Sequence, residues 1–209
     1  MDTLLDIAMV HADTTIENAQ RGDEKALNRL VSLWYKRIYN YVHKYHADHD
    51  IASDLAQKTF IQMFKHISKL KEADRFKPWL YRIATNLCFE ESRQMKRNKL
   101  VSIHEGGDED DVKVKMQVLE AKGNFFNPER NFQQGELAEA LVAALNELSE
   151  DQRSVVIMKE YEGMKFTEIA EAMDASENTV KTWMYRGLKN LRVILEGKQI
   201  TKETVHYEL

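Results

Sequence analysis

Apolar residues recur at steps of three and four through the first half of the chain, the spacing of one buried helix face. Leu27, Leu30, Val31, Trp34, Ile38, Tyr41, Val42 and Tyr45 form one such stripe. Ile51, Leu55, Phe60, Met63, Phe64 and Ile67 form a second, and Trp79, Leu80, Ile83, Ala84, Leu87 and Cys88 a third. Pro78 opens the third, where its fixed φ and missing N–H suit a first helical turn. From Asn98 to about Gly135 the periodicity fades. Glu105 to Asp111 holds five acids in seven residues around Gly106-Gly107, and Gly123 and Pro128 follow. This reads as a flexible acidic linker. The period returns with Leu137, Leu141, Ala144, Leu145 and Leu148, then Val155, Val156 and Met158. Ser149 followed by Gln152 resembles a capping box opening a new helix. From Lys198 the chain is polar and is expected to fray. The expectation is an all-α chain with two small helical domains, 1–97 and 136–209, tethered by a linker over 98–135.

The C-terminal stretch Met164 to Arg186 reads as a helix-turn-helix. Ile169, Ala170 and Met173 mark a short helix, with Ala170 small where a second helix crosses. Met173-Asp174-Ala175 makes the turn, and the Ser176 hydroxyl can cap the next helix. In that helix Val180, Met184, Leu188 and Leu191 are expected to face inward. Glu177, Asn178, Lys181, Thr182, Tyr185, Arg186 and Lys189 are expected to face out. Between Asn178 and Leu195 stand four bases and no acid, which suits a helix laid against phosphates in a major groove. A helical hairpin with a solvated basic face is the plainer alternative.

A second basic surface lies in the N-terminal half. Phe76 to Leu87 interleaves aromatic rings with polar donors and leads into Arg93, Lys96, Arg97 and Lys99. No acid lies between Ser92 and His104. Such a surface can hold phosphates by charge and stack unpaired bases on rings. Phe76 and Trp79 taken alone fit a core role at least as well.

Composition changes the picture in three ways. Eight glycines and two prolines in 209 residues argue against a turn-rich β fold. One cysteine, Cys88, excludes an intrachain disulfide and a cysteine-based zinc site. No apolar run reaches the ~18 residues that span a bilayer, and the start Met1 to Asp6 lacks a signal peptide's basic residues. The chain is expected to be soluble and cytoplasmic. The net charge of −4 argues at first against a nucleic-acid binder. Counted by segment, the acids concentrate in Asp2 to Glu24 and in the linker, leaving Arg93–Lys99 and Lys181–Arg192 basic.

Taken together, these segments resemble the extracytoplasmic-function sigma factors of bacterial RNA polymerase, over nearly the whole chain. The resemblance rests on Arg21-Gly22-Asp23, on Asp54 to Phe60, and on Trp79 to Asn86 with the bases after it. It continues with Leu145 to Arg153, the Glu-Ile-Ala helix, and Thr179-Val180-Lys181. It implies a non-catalytic subunit that binds core RNA polymerase, recognises promoter DNA and melts it. By that resemblance Asp54 and Gln57 dock on the polymerase. Trp79, Arg82, Asn86, Arg93, Lys96 and Arg97 engage the minus-ten element, with Lys71 and Asp74 in a base-capturing loop. Ser176, Glu177, Thr179, Lys181, Thr182, Arg186 and Lys189 lie on the reader of the minus-thirty-five element. The acidic linker falls where the family threads a peptide toward the active cleft and RNA exit path. Control by an anti-sigma partner, often membrane-anchored, follows from the resemblance. Neither a cofactor nor a small-molecule substrate is implied.

Three positions depart from the family pattern. Lys58 stands where Glu is usual, Trp183 where a base is common, and Asp174 where Gly is frequent in the turn. Asp tolerates turn geometry. His43, His46 and His49 invite a metal reading, but steps of three drift around a helix of 3.6 residues per turn. A conventional dimeric helix-turn-helix regulator is the main alternative, and it predicts a palindromic site. Such a regulator has no need of the basic, aromatic Trp79–Lys99 segment. An enzyme acting on nucleic acid lacks any acid/base or metal signature here.

Overall fold

The computed structural model describes residues 14–104 and 140–197, with side chains through residue 98 in the first part. The acidic cluster Glu105–Asp111, the early acids Asp2, Asp6 and Asp13, and the end from Lys198 lie outside the described residues. Among the described residues there is no strand. Helix α1 covers residues 14–20. It is followed by α2 (Glu24–His46), α3 (His49–His66), two 3₁₀ turns (Ile67–Lys69 and Ala73–Arg75) and α4 (Phe76–His104). After residue 139 come α5 (residues 140–146), α6 (Glu150–Val156), a π turn (Ile157–Tyr161), α7 (Phe166–Met173) and α8 (Glu177–Gly197).

Local sequence sets the helix starts. The Asp23 carboxylate accepts from the N–H groups of Lys25 and Ala26, and Gly22 at φ +87° makes the turn before it. Asp48 does the same for Asp50 and Ile51, at 2.8 and 2.9 Å. Each cap satisfies N–H groups that the first helical turn leaves without a partner.

Helices α2, α3 and α4 bury one shared face. Leu30, Ile38, Tyr41 and Tyr45 meet Leu55, Phe60 and Met63 from α3 and Leu80, Tyr81, Ala84 and Cys88 from α4. The Tyr41 hydroxyl bonds Thr85 Oγ1 at 2.9 Å, and Thr85 donates to the Tyr81 carbonyl at 2.7 Å. The Tyr41 and Thr85 hydroxyls therefore have partners, which avoids the cost of a stranded group. Phe64, expected on the inner stripe, is exposed. Its neighbour Met63 already fills that face, and one residue turns the helix about 100° toward solvent. Helix α4 continues to His104, past Asn98 where the apolar period fades. The fading of the apolar period therefore does not mark the end of the helix.

In the C-terminal part α6 and α8 cross closely. Leu188, expected to face inward, is 44 % exposed, and Gly187 takes the buried position instead. Gly187 is seven residues after Val180, two turns along the same face. A Cβ at Gly187 would stand 3.0 Å from Val156 Cγ2, so the absent side chain sets the crossing distance.

Candidate nucleic-acid interface

Helix α4 presents two different sides. Leu80, Tyr81, Ala84, Thr85 and Cys88 are buried. Trp79, Arg82, Asn86, Arg93 and Arg97 recur at steps of three, four, seven and four, so at about 100° per residue they share the other side. Arg82, Asn86, Arg93, Lys96 and Arg97 are all exposed. Trp79 is half-buried, with its ring 5.9 Å from that of the buried Phe76. It therefore anchors the helix while keeping an edge at the surface. An open hollow of about 730 Å³ is bordered by Asn86, Phe89, Glu90, Arg93, Lys96 and Arg97. Lys71 and Asp74 lie exposed on the loop before α4. The Gln20 side chain from α1 holds that loop by donating to the Leu70 carbonyl at 2.7 Å.

On α3, Asp54 is exposed and Gln57 half-buried. Lys58 Nζ lies 2.6 Å from Asp54, one turn away. The basic departure at position 58 thus partners the very carboxylate expected to dock on a polymerase.

The helix-turn-helix forms as its residues dictate. Helix α7 ends with Asp174 in the left-handed region at φ 52°, ψ 45°. The Ala175 N–H bonds the Ala170 carbonyl at 3.0 Å, the pattern of a Schellman ending. Ser176 Oγ accepts from the Thr179 N–H at 3.1 Å and caps α8. Lys181, Thr182, Arg186 and Lys189 are exposed on one side of α8, with Tyr185, 72 % exposed, in their midst. Ser176 is exposed at the start of α8, while Glu177 and Thr179 are half-buried. Glu177 pairs with Lys181 at 2.5 Å. Trp183 turns toward the core and packs on it, so its departure from the usual base lies off the exposed face.

The two basic surfaces are not independent in this structure. Helix α7 lies on α4. Arg82 Nη2 is 3.1 Å from Asp174, Arg75 Nη1 is 3.5 Å from Glu171, and Lys96 Nζ is 2.6 Å from Glu150. The Tyr81 hydroxyl donates to Glu162 at 2.5 Å, and Lys77 Nζ donates to the Glu162 carbonyl at 3.2 Å. Burial and the Glu162 carboxylate both push the Tyr81 phenol far up. The π turn delivers Glu162 there. Its closing bond runs from the Glu162 N–H to the Ile157 carbonyl, and Gly163 at φ +61° then reverses the chain.

Arg153 is the deepest link. Its guanidinium donates to the carbonyls of Leu145, Asn146 and Leu148, and across the domains to that of Tyr45 at 2.8 Å. It also sits 4.7 Å over the Tyr45 ring. Burial lowers its pKa from the usual arginine range, but its N–H groups donate to four carbonyls near helix ends, where a cation is favoured. Sequence reading assigned neither Arg153, Tyr81 nor Glu162 to a site. Of the three, Arg153 alone ends a segment, Leu145 to Arg153, that carries the family resemblance.

His43 and His49 stack at 4.3 Å, and the Tyr39 hydroxyl meets His49 Nδ1 at 2.7 Å. His46 packs against Tyr45 instead. Among the described residues no three His, Cys, Asp or Glu side chains are placed to hold a metal.

Comparison with known proteins bears directly on this arrangement. The model of sigma-70 region 2 matches residues 30–98, and that of sigma-70 region 4 matches residues 138–191. This chain belongs to the extracytoplasmic-function sigma factors. Such proteins are transcription initiation factors. The ECF RNA polymerase sigma-E factor of Haemophilus influenzae is 27 % identical over 187 residues, 88 % of this chain and 92 % of that protein. The protein of the same name from Escherichia coli K12 is 29 % identical over 175 residues, 82 % of this chain and 87 % of that one. Among solved structures, CnrH in complex with the cytosolic domain of CnrY matches 89 % of this chain and 97 % of its own, with TM-score 0.64 and 19 % identity. The sigma factor RpoE of Bartonella quintana, in complex with the anti-sigma factor NepR, matches 82 % and 98 %, with TM-score 0.58 and 21 % identity. The matches span both ends of this sigma factor's fold. Among the described residues no helix is long and apolar enough to cross a membrane.

Proposed function

We propose that this sigma factor docks on core RNA polymerase in the cytoplasm and reads two promoter elements with two domains, 1–97 and 136–209. It melts the upstream-facing edge of the bubble without catalysis of its own. One observation carries the reading: two exposed basic faces, on α4 and on α8, stand on separate helical units of one chain. The α4 face (Trp79, Arg82, Asn86, Arg93, Lys96, Arg97) takes the minus-ten element, with Lys71 and Asp74 beside a captured base. Extruding a base costs a few kcal/mol, and stacking on an aromatic side chain returns roughly 1–3 kcal/mol per base. The α8 face (Ser176, Glu177, Thr179, Lys181, Thr182, Arg186, Lys189) enters the major groove at the minus-thirty-five element. Asp54 and Gln57 face the polymerase. Two weak sites on one tether gain from effective concentration once polymerase holds both. Control by an anti-sigma factor is supported by the complexes in which the structural relatives were solved.

The test is transcription in vitro with core polymerase and a fragmented genomic template. Core plus this chain is expected to initiate at a small set of sites. R186A is expected to lower initiation at those sites about tenfold, in line with ~1–3 kcal/mol per lost DNA contact. Absence of initiation on any fragment would refute the reading.

A further inference from the structure

The loop between α3 and α4, set beside a captured base in the proposed function, is tied down by a residue of α1. Gln20 Nε2 donates to the Leu70 carbonyl at 2.7 Å, across 50 positions of sequence. The neighbours of Gln20 put it there. Ile16 and Ala19 are buried and seat α1 on the domain, so half-buried Gln20, at the end of that helix, is carried to the loop.

Leu70 opens a short link between the two 3₁₀ turns. It is extended, at φ −68° and ψ 120°, and its N–H closes the first turn on the Ile67 carbonyl at 3.1 Å. The second turn is closed by the Arg75 N–H on the Glu72 carbonyl at 3.2 Å, with the Glu72 carboxylate 2.6 Å from Arg75 Nε. Leu70 and Ala73 pack on the core, whereas Lys71, Glu72 and Asp74 are exposed. The Leu70–Lys71 peptide therefore stands between two anchored turns, with its carbonyl bound to α1. A peptide unit is planar and trans, so its carbonyl and its N–H point opposite ways. Binding the Leu70 carbonyl thus sets the direction of the Lys71 N–H and the point from which the Lys71 side chain leaves. Type I and type II turns differ mainly by a flip of one such unit, and both are common, so an untied unit can turn over at little cost. Resting on the sigma-factor reading, we propose that Gln20 is a positioning residue for base recognition at the minus-ten element: by holding the Leu70–Lys71 peptide it aims Lys71 at the captured base.

Hydrogen bonds weaken steeply below about 120°, so a flipped unit would lose its base contact. A unit set in advance adds no ordering cost at the moment of capture. The amide of Gln20 is suited to the task because it donates. An ionised Glu of the same shape can only accept and would face the Leu70 carbonyl with like charge, and a Met of similar length offers no donor.

The test uses the full chain with core polymerase on one promoter that the native chain initiates, with each of the four bases placed in turn at each minus-ten position. At the captured position the native chain is expected to prefer one base about tenfold. In Q20M that preference is expected to fall to about threefold, and in Q20E further, with preferences at the other minus-ten and the minus-thirty-five positions unchanged. A19G removes the adjacent buried methyl and is the structural control: it is expected to melt earlier and to keep the native preference. In the chain without polymerase, the Lys71 amide is followed by proton–nitrogen NMR. Its resonance is expected to move in Q20M and to stay in place in A19G. An unmoved Lys71 amide in Q20M, an unchanged base preference, or an equal loss of preference in A19G would overturn the proposal. If the native chain initiates nowhere, the sigma-factor reading falls and the base-recognition role with it, while the Lys71 amide still reports whether Gln20 holds the loop.

Discussion

The Arg82 guanidinium on α4 and the Asp174 carboxylate in the helix-turn-helix lie 3.1 Å apart. The residue that shapes the turn of the helix-turn-helix thereby also touches the candidate DNA surface on α4. Asp174 has two separable duties, a backbone one at φ 52° and an electrostatic one toward Arg82.

Substitution separates them. Ala at 174 pays about 1 kcal/mol for the left-handed backbone, whereas Gly pays nothing sterically. D174A is expected to lower the melting temperature by about 3 °C, and D174G to leave it within about 1 °C. Both variants lose the ion pair. Circular dichroism melts of the two therefore isolate the backbone contribution, and equal melting of D174A and D174G would show that none exists.

Gly187 fixes the α6–α8 distance. In G187A the new methyl meets Val156 Cγ2 at 3.0 Å and Gln152 Cβ at 3.3 Å. Overpacking of this kind costs roughly 1–3 kcal/mol, and the better helix propensity of Ala returns about 1 kcal/mol. A net loss of about 1 kcal/mol is expected in urea unfolding. A Cβ at Gly197 would meet nothing within 4 Å, so G197A is the matched control and is expected to show no such loss.

Arg153 holds four carbonyls with one guanidinium. R153M removes the guanidinium from all four, of which Leu145 still accepts from the Leu148 N–H, and is expected to cost about 3 kcal/mol or more. R153K is expected to rescue little, since an ammonium has three donors and lacks the planar fork. Chemical denaturation followed by tryptophan fluorescence reads the effect, and full rescue by Lys would argue against the fork geometry.

His46 supplies a pH dependence. Burial, reinforced by the Arg153 charge, lowers its pKa from 6.5 to about 4. The unfolded chain binds that proton more readily, so between about pH 6.5 and pH 4 stability falls as pH falls. The penalty is absent above pH 7. Burial also lowers the His43 pKa, which acts in the same direction. In H46Q the loss of urea midpoint between pH 7.5 and pH 5 is expected to be smaller than in the native chain. An identical loss would mean that other groups carry it.

Much of this was legible in the residues. The turn at Met173–Ala175, the Ser176 cap and the two basic faces follow from short-range chemistry, and the structure has them where the sequence puts them. Phe64 and Leu188 were not legible, because an apolar stripe gives a helix's inner side only to within about one residue's rotation. Which neighbour wins depends on the partner: Met63 fills its slot, and the lack of a side chain at Gly187 lets α6 approach. The Tyr81–Glu162 and Arg153–Tyr45 bonds join residues 81 and 108 positions apart. No local pattern encodes such pairs. Trp183 looked like a change in the DNA-reading face and proved to be a packing residue.

The π turn at Ile157–Tyr161 carries one further consequence, which concerns length. An extra residue in a helical turn swings everything after it by about 100°. Deleting one residue here would restore an ordinary helix and carry Glu162 a quarter-turn or more away from Tyr81. Side chains within the turn can be exchanged, but its count of residues cannot. Insertions and deletions among natural variants of this chain should avoid 157–163 even where substitutions are frequent.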